Sequence, residues 1–349
     1  MQEYKKQIIE ENNRAIDIVA DYWLNSEPVF FENLRGNVVL LLFFNYASGE
    51  WLELYRYVGE WEKRYKDKGL FILGVHVPKF PFEMKIENVD NEIKRLKISF
   101  PIAIDNDWRN LRRYALLVSK NFLFDVPYIF LVNRDGLISY SSFGVGKLWE
   151  IEFYIQSLLI KAGYYGDFPL PVGSRYDVDE SAFYKVTPEI LTCYSGGALG
   201  NAEGFAPESV VKYEDPKIYV NGKFYLDGEW YNGKYYFKHN PISQSSGTVI
   251  LPYAGTNVGV VMESLNEENL KVVVLQDDEF LDEYNCGEDV RFERGKSFID
   301  VSKPRFYNVV QNPDFGEHIL KLIVDSPNFA IYKFSISARR FKRELITEF

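Results

Sequence analysis

Residues 37–45 (NVVLLLFFN) form an apolar run rich in β-branched, leucine and phenylalanine side chains, long enough for a strand buried on both faces. A short polar break, Tyr46-Ala47-Ser48-Gly49-Glu50, follows it. Beyond the break, Trp51, Leu54, Tyr55, Val58, Trp61 and Tyr65 recur at three- and four-residue spacing, which predicts a helix over 51–65. A doubly buried strand feeding straight into a helix is the building unit of an α/β sheet. The N-terminal end of such a helix offers unpaired N–H groups and the positive end of the helix dipole, which lower the pKa of a thiol placed there. In this chain the place is taken by Ser48.

The same alternation continues through the first half. Residues 70–77 (LFILGVHV) read as a second buried strand after the helix-terminating Gly69. Helices are expected over 88–96 and 108–117, with a short strand over 100–104 between them. Strands over 128–132 and 137–143 flank Asn133-Arg134-Asp135-Gly136, a hairpin turn signal. An amphipathic helix over 147–162 closes the unit. The order β-α-β-α-β-α-β-β-α, preceded by a helical extension over about 1–25, predicts a mixed sheet over 1–166.

A linker rich in Pro, Gly and Asp is expected over 167–182, and beyond it the helical period vanishes. Asn221-Gly222 and Asn232-Gly233 are hairpin signals, the first between strand candidates 217–220 and 223–226. Further short strands are expected at 248–253, 257–263, 270–275, 290–293, 298–301, 305–310, 318–324 and 329–336. Short strands at regular spacing predict an all-β sandwich or jelly roll over 183–338, followed by a basic tail over 339–349.

Charge and cysteine usage exclude several roles. A net charge of −10 argues against non-specific nucleic-acid binding. Arg339, Arg340, Lys342 and Arg343 form a cluster that reads either as a solvated tail or as a dock for an acidic partner. No apolar stretch reaches the roughly 18 residues of a spanning helix, and the first residues lack an apolar signal region, so a cytoplasmic protein is expected. The 2 cysteines, Cys193 and Cys286, make neither a disulfide framework nor a zinc cluster. Two free thiols are the simpler expectation, and a structural disulfide is the alternative.

Several segments carry a resemblance. Val38-Val39-Leu40-Leu41, Gly74-Val75-His76-Val77-Pro78 with Phe80 and Glu83, Asp105-Asn106-Asp107, Val126-Pro127-Tyr128 and Asn133-Arg134-Asp135-Gly136 resemble the TlpA-type thioredoxin-like family, in particular DipZ-like proteins. Thr187-Pro188-Glu189, Gly228-Glu229-Trp230 and Pro304-Arg305-Phe306-Tyr307 resemble the second half of the same proteins, whose fold is that of a carbohydrate-binding module. The resemblance implies a thioredoxin-like domain followed by a jelly-roll-like sandwich. It also implies that Pro127 is a cis-proline facing the redox site, and that Ser48 and Trp51 stand where the two redox cysteines would be.

That substitution closes dithiol chemistry at the site, since oxygen does not form the exchangeable bond that sulfur does. A peroxidatic mechanism fails for the same reason. A nucleophilic serine needs an oriented base, and of the 3 histidines only His76 belongs to this half, with Glu50 or Glu83 as its candidate orienting group. His76 reads first as a structural histidine. The acidic stretch Asp277-Asp278-Glu279 with Asp282 and Glu283 reads first as solvated turns, a structural calcium being the alternative. Aromatics make up 17% of the chain, and Tyr225, Trp230, Tyr231, Tyr235 and Tyr236 offer rings for stacking on sugars. The expectation is a redox-inactive scaffold or complex subunit that binds a protein partner through a groove formed by Glu50, Trp51, Val126, Pro127 and Tyr128. It requires no cofactor and no metal, does not bind nucleic acid, and has no membrane span. An oxidoreductase with a non-standard site and a glycan-binding module are the alternatives.

Overall fold

The run Val38–Phe44 is a strand whose seven side chains are all buried, as its lack of any polar residue demands. It belongs to a computed structural model that describes residues 13–118, 125–145, 148–172, 184–241 and 245–338. The chain divides into two compact units, Met1–Asp177 and Val178–Phe349. In the first, strands β1 (Trp23–Leu24), β2 (Val38–Phe44), β3 (Leu70–His76), β4 (Ile102–Ile104), β5 (Tyr128–Val132) and β6 (Ile138–Phe143) alternate with helices α1 (Gly49–Tyr65), α2 (Ile86–Arg95), α3 (Arg109–Val118) and α4 (Leu148–Lys161). The sheet order is β1-β4-β3-β2-β5-β6. Strands β2, β3 and β4 are parallel, and β1, β5 and β6 run antiparallel to their neighbours.

Strand alternation sends Val39, Leu41 and Phe43 to one face, where they pack with Leu111, Tyr114 and Ala115 of α3 and with Ile18, Phe31 and Leu34. Helices α1 and α4 pack against the sheet through β3 and β2. The helical extension expected over 1–25 is corrected for its described part. Residues 13–22 contain no helix and lead into β1. Their backbone groups bond elsewhere: Ile138 N–H donates to Asn13 O (2.9 Å), Ala15 N–H to Gly136 O (3.0 Å) and Val19 N–H to Asn110 Oδ1 (2.9 Å). Residues 1–12, most of the expected linker, and the basic tail over 339–349 lie outside the described residues.

The second unit is all β: β7 (Ile190–Leu191), β8 (Val210–Tyr213), β9 (Tyr225–Asn232), β10 (Phe237–His239), β11 (Gly247–Ser264), β12 (Leu270–Gln276), β13 (Glu279–Phe280), β14 (Val290–Glu293), β15 (Lys296–Val301), β16 (Arg305–Val324) and β17 (Phe329–Ser337). The main path through the sheet is β14-β15-β12-β16-β11-β17-β10-β9-β8. Two corrections concern β11 and β16, each expected as two strands. They pair from Gly247↔Val324 to Met262↔Arg305, and register shifts at Gly255/Asn257 and Val258/Gly259 absorb the apparent breaks. One end of β11 also pairs with β9 and the other with β17, so a single strand serves two parts of a sandwich around one core. Residues 217–220 do not form a strand. Ile218 and Val220 are 79% and 58% exposed, Lys217 has φ 60, and the turn at Asn221-Gly222 persists without its first arm.

Candidate functional site

The carboxyl ends of β2 and β3 form the edge where an open α/β sheet carries ligands. Phe44 and His76 are paired at the ends of these strands. After β2 the chain passes through Asn45, Tyr46 and Ala47 to Ser48, whose extended backbone (φ −133, ψ 133) makes it the N-cap of α1. Its Oγ accepts from Trp51 N–H at 3.4 Å, a loose cap that satisfies one of the helix's unpaired donors. The hydroxyl is thus engaged with its own helix.

Trp51 is fully buried and stacks on Phe44, with centroids 3.8 Å apart and planes 19° from parallel. This corrects its placement in an open groove. The indole is a large apolar surface beside a phenylalanine face, and its burial removes it from any contact with a partner. Its Nε1–H has no hydrogen-bond partner, so the ring is held by packing rather than by polar contacts. Glu50 is exposed, Val126 is half-buried, and Pro127 and Tyr128 are buried. The Val126–Pro127 peptide is cis, as the resemblance implied. The pairing Phe43↔Tyr128 brings Pro127 level with Phe44 on the neighbouring strand.

His76 is fully buried between Phe44 (5.6 Å) and Tyr46 (5.4 Å). Neither ring nitrogen makes a hydrogen bond, and Nε2 lies 3.8 Å from Glu83 Oε1. The Ser48–His76 hydrogen bond that a nucleophilic serine requires is absent.

The organising residue of this edge is Glu83, which sequence reasoning noted only as a motif member and as a candidate orienting group. It is fully buried in a 3₁₀ turn, Pro81–Met84. Its carboxylate accepts from Asn45 Nδ2 (2.7 Å), Ala47 N–H (3.2 Å), Lys79 N–H (2.8 Å) and Phe80 N–H (2.9 Å). The loops after β2 and β3 are therefore tied to one anion. The available signal was a glutamate inside the apolar segment Phe80-Pro81-Phe82-Glu83, where burial is tolerable only with several donors. Asp105 does similar work nearby: its carboxylate accepts from Asn110 N–H (3.2 Å) and Leu111 N–H (3.0 Å) at the start of α3, and burial raises its pKa above the ordinary carboxylate value.

The other candidates separate. Cys193 is buried and Cys286 half-buried, both in the second unit and neither in a disulfide. Asp277 and Asp278 form a tight turn at positive φ (54 and 66). Asp277 contacts His318 Nδ1 at 2.7 Å, and Asp278 pairs with Lys321. Among the described residues no group of three or more His, Cys, Asp or Glu side chains could hold a metal. No helix among them is long and apolar enough to cross a membrane. Of the five aromatics considered for stacking, Tyr225 and Trp230 are in the core, whereas Tyr231, Tyr235 and Tyr236 reach the surface.

Residues 187–335 match the family model described as Thioredoxin like C-terminal domain. Protein DipZ of Mycobacterium tuberculosis is 30% identical over 213 residues, which cover 60% of this chain and 29% of DipZ. NHL repeat-containing protein 2 of Homo sapiens is 37% identical over 151 residues, 42% of this chain and 19% of that protein. The chain thus spans about three tenths, or less, of the length of these relatives. Among solved structures, a thiol-disulfide isomerase from Corynebacterium glutamicum matches at 23% identity with a TM-score of 0.36, covering 42% of this chain and 97% of that one. The chain is thus similar to DipZ-like thioredoxin-like proteins, and residues 187–335 are similar to the Thioredoxin like C-terminal domain.

Proposed function

We propose that this chain is a redox-inactive thioredoxin-like protein that works by binding a protein partner, as a scaffold or as a subunit of an assembly. The observation that carries this reading is the state of the two former thiol positions. One is an N-cap hydroxyl bonded to its own helix, and the other is a buried indole stacked on Phe44. The machinery that would position a thiol persists around them. The helix N-terminus and the Glu83 anchor hold this corner in place while leaving it without a thiol. With Trp51 and Tyr128 buried, the surface left for a partner at this edge centres on Glu50 and Val126. Nearby, the ion pair Lys79–Asp125 (3.7 Å) links the loop after β3 to the approach to β5.

The purified chain is expected to show no insulin-disulfide reduction and no peroxide turnover above a buffer control. Turnover by the unmodified protein overturns redox inactivity. Isolation from native lysate is expected to return it in one stoichiometric assembly. Recovery as a lone monomer that retains polysaccharide overturns the scaffold role.

A further inference from the structure

Helix α4 carries apolar side chains on both of its faces. One face is packed inward, with Leu148, Ile151, Ile155, Leu158 and Leu159 buried. The polar side chains at its centre are engaged within the first unit. Glu152 is fully buried and accepts from Tyr65 Oη and Val172 N–H, both at 2.6 Å. Gln156 Nε2 donates to Tyr65 Oη and to Pro169 O, both at 2.8 Å. Ser157 Oγ–H donates to Phe153 O (2.9 Å), one turn back on its own helix. What faces outward is Trp149, Phe153 and Ile160, which are 39%, 55% and 53% exposed. Glu150 stands at one end of this stripe and Lys161 at the other. At 3.6 residues per turn these positions and Ser157 share one side of the helix, opposite the buried set. A solvent-facing helix surface is ordinarily charged, so a stripe of this composition marks a surface that something covers.

The order of side chains along the stripe selects the occupant. A second copy of α4 can be set antiparallel to the first across a two-fold axis midway between Phe153 and Ser157. Each Phe153 then stands level with Ser157 of the other copy, so the most exposed ring meets the smallest side chain of the stripe. That serine's hydroxyl is already satisfied by its own helix and loses nothing when water leaves. In the same register Trp149 comes level with Ile160, and Glu150 with Lys161, all within about one residue or about 1.5 Å. The axis generates each pair twice, which gives an apolar centre and an ion pair at each end of a contact about 21 Å long. A bilayer accepts the stripe's apolar side chains but has no partner for Glu150, and an anionic one repels a chain of net charge −10. We propose that the outward face of α4 is a homodimerisation surface, on which a second copy of this chain packs antiparallel. It is independent of the reading given to Ser48 and Trp51, because the chain can dimerise whether or not that corner is redox-inactive.

Sedimentation velocity of the full chain, from about 1 to about 200 µM, reads the association directly. A contact of this size is expected to give a weak dimer, half-formed at roughly 10–100 µM. Phe153→Asp should weaken association by about thirtyfold or more, the scale of a lost hot spot. Ser157→Trp fills the space that faces Phe153 and should weaken it about tenfold. The end charges give a result that only this register predicts. Glu150→Lys and Lys161→Glu should each weaken association about fivefold, and the two exchanges together should restore it to within about twofold of the parent. Unchanged urea midpoints of the first unit certify that the variants are folded. The proposal is overturned by a chain that stays monomeric at the highest concentration, by a dimer that Phe153→Asp leaves intact, or by charge exchanges whose effects are absent or simply add. A monomer that floats with phosphatidylcholine vesicles, and ceases to do so as Phe153→Asp, overturns it in favour of a lipid occupant.

Discussion

Trp51, in the first turn of α1, and Tyr231, on β9 between β8 and β10, illustrate opposite uses of a large aromatic ring. Trp51 is fully buried on Phe44 with its N–H unpaired, while Tyr231 keeps its hydroxyl on Glu208 and stays half-exposed. Where an aromatic's polar atom finds no partner, packing alone holds the ring, and it acts as filler. Where an exposed anion fixes that atom, the ring becomes part of a rigid surface. The same contrast separates the two carboxylates. Glu83 is enclosed and ties backbone to backbone, whereas Glu208 is exposed and holds side chains.

The largest expected effect tests whether Trp51 is filler. Trp51→Ala should cost the first unit about 3–5 kcal/mol, the usual loss for a large aromatic removed from a core. Urea unfolding with hydrogen exchange read separately for each unit measures it. A loss below about 1 kcal/mol would mean that this corner is open and the contrast with Tyr231 is false. Next comes Glu83→Ala, which strands four donors, three of them buried, and should cost the first unit about 3 kcal/mol. Glu208→Ala should leave the second unit's midpoint where it was. Equal effects would show that the two carboxylates do the same work.

How far these sites were legible varies with the distance over which their physics acts. Strand β2 and helix α1 were plain from a continuous apolar run and a three- and four-residue period. That period had already placed Trp51 in one stripe with Leu54, Val58, Trp61 and Tyr65, all of which are buried. Motif position suggested a groove residue instead, and periodicity was the better guide because it reports burial directly. Strands β11 and β16 were split because the 254–256 and 312–317 stretches look like turns, and a bulge that carries a strand through such a stretch has no local signature. The Glu208 cluster was illegible for a different reason: Tyr194, Glu208 and Tyr231 are joined only by the fold.

Smaller effects refine the picture. Ser48→Ala should cost about 1 kcal/mol through loss of the N-cap, and the 3.4 Å bond puts it toward the low end of that class. If it costs nothing, the hydroxyl has no structural duty at this corner. The smallest effect concerns pH. Burial beside Trp230 lowers the pKa of His239 below its ordinary value of 6.5, so folded His239 stays neutral where the unfolded residue takes up a proton. Stability of the second unit should therefore decline as pH falls through 6.5, and continue to decline until the folded ring also protonates. His239→Gln should flatten that part of the profile, as followed by the unit's urea midpoint between neutral and mildly acidic pH.

The place of β17 in its sheet bears on how the second unit is made in a cell. This strand, Phe329–Ser337, sits between β11 and β10 rather than at a margin. A ribosome that has released β11, which ends at Ser264, has produced one flank of a gap whose occupant ends only at Ser337, some 73 residues and about 4–15 s of synthesis later at ordinary elongation rates. During that interval the ladder edges of β10 and β11 that β17 will occupy are open to any other extended segment. Nascent chains of this protein should therefore need shielding late in translation, and chains truncated before residue 329 should pair with one another rather than remain single.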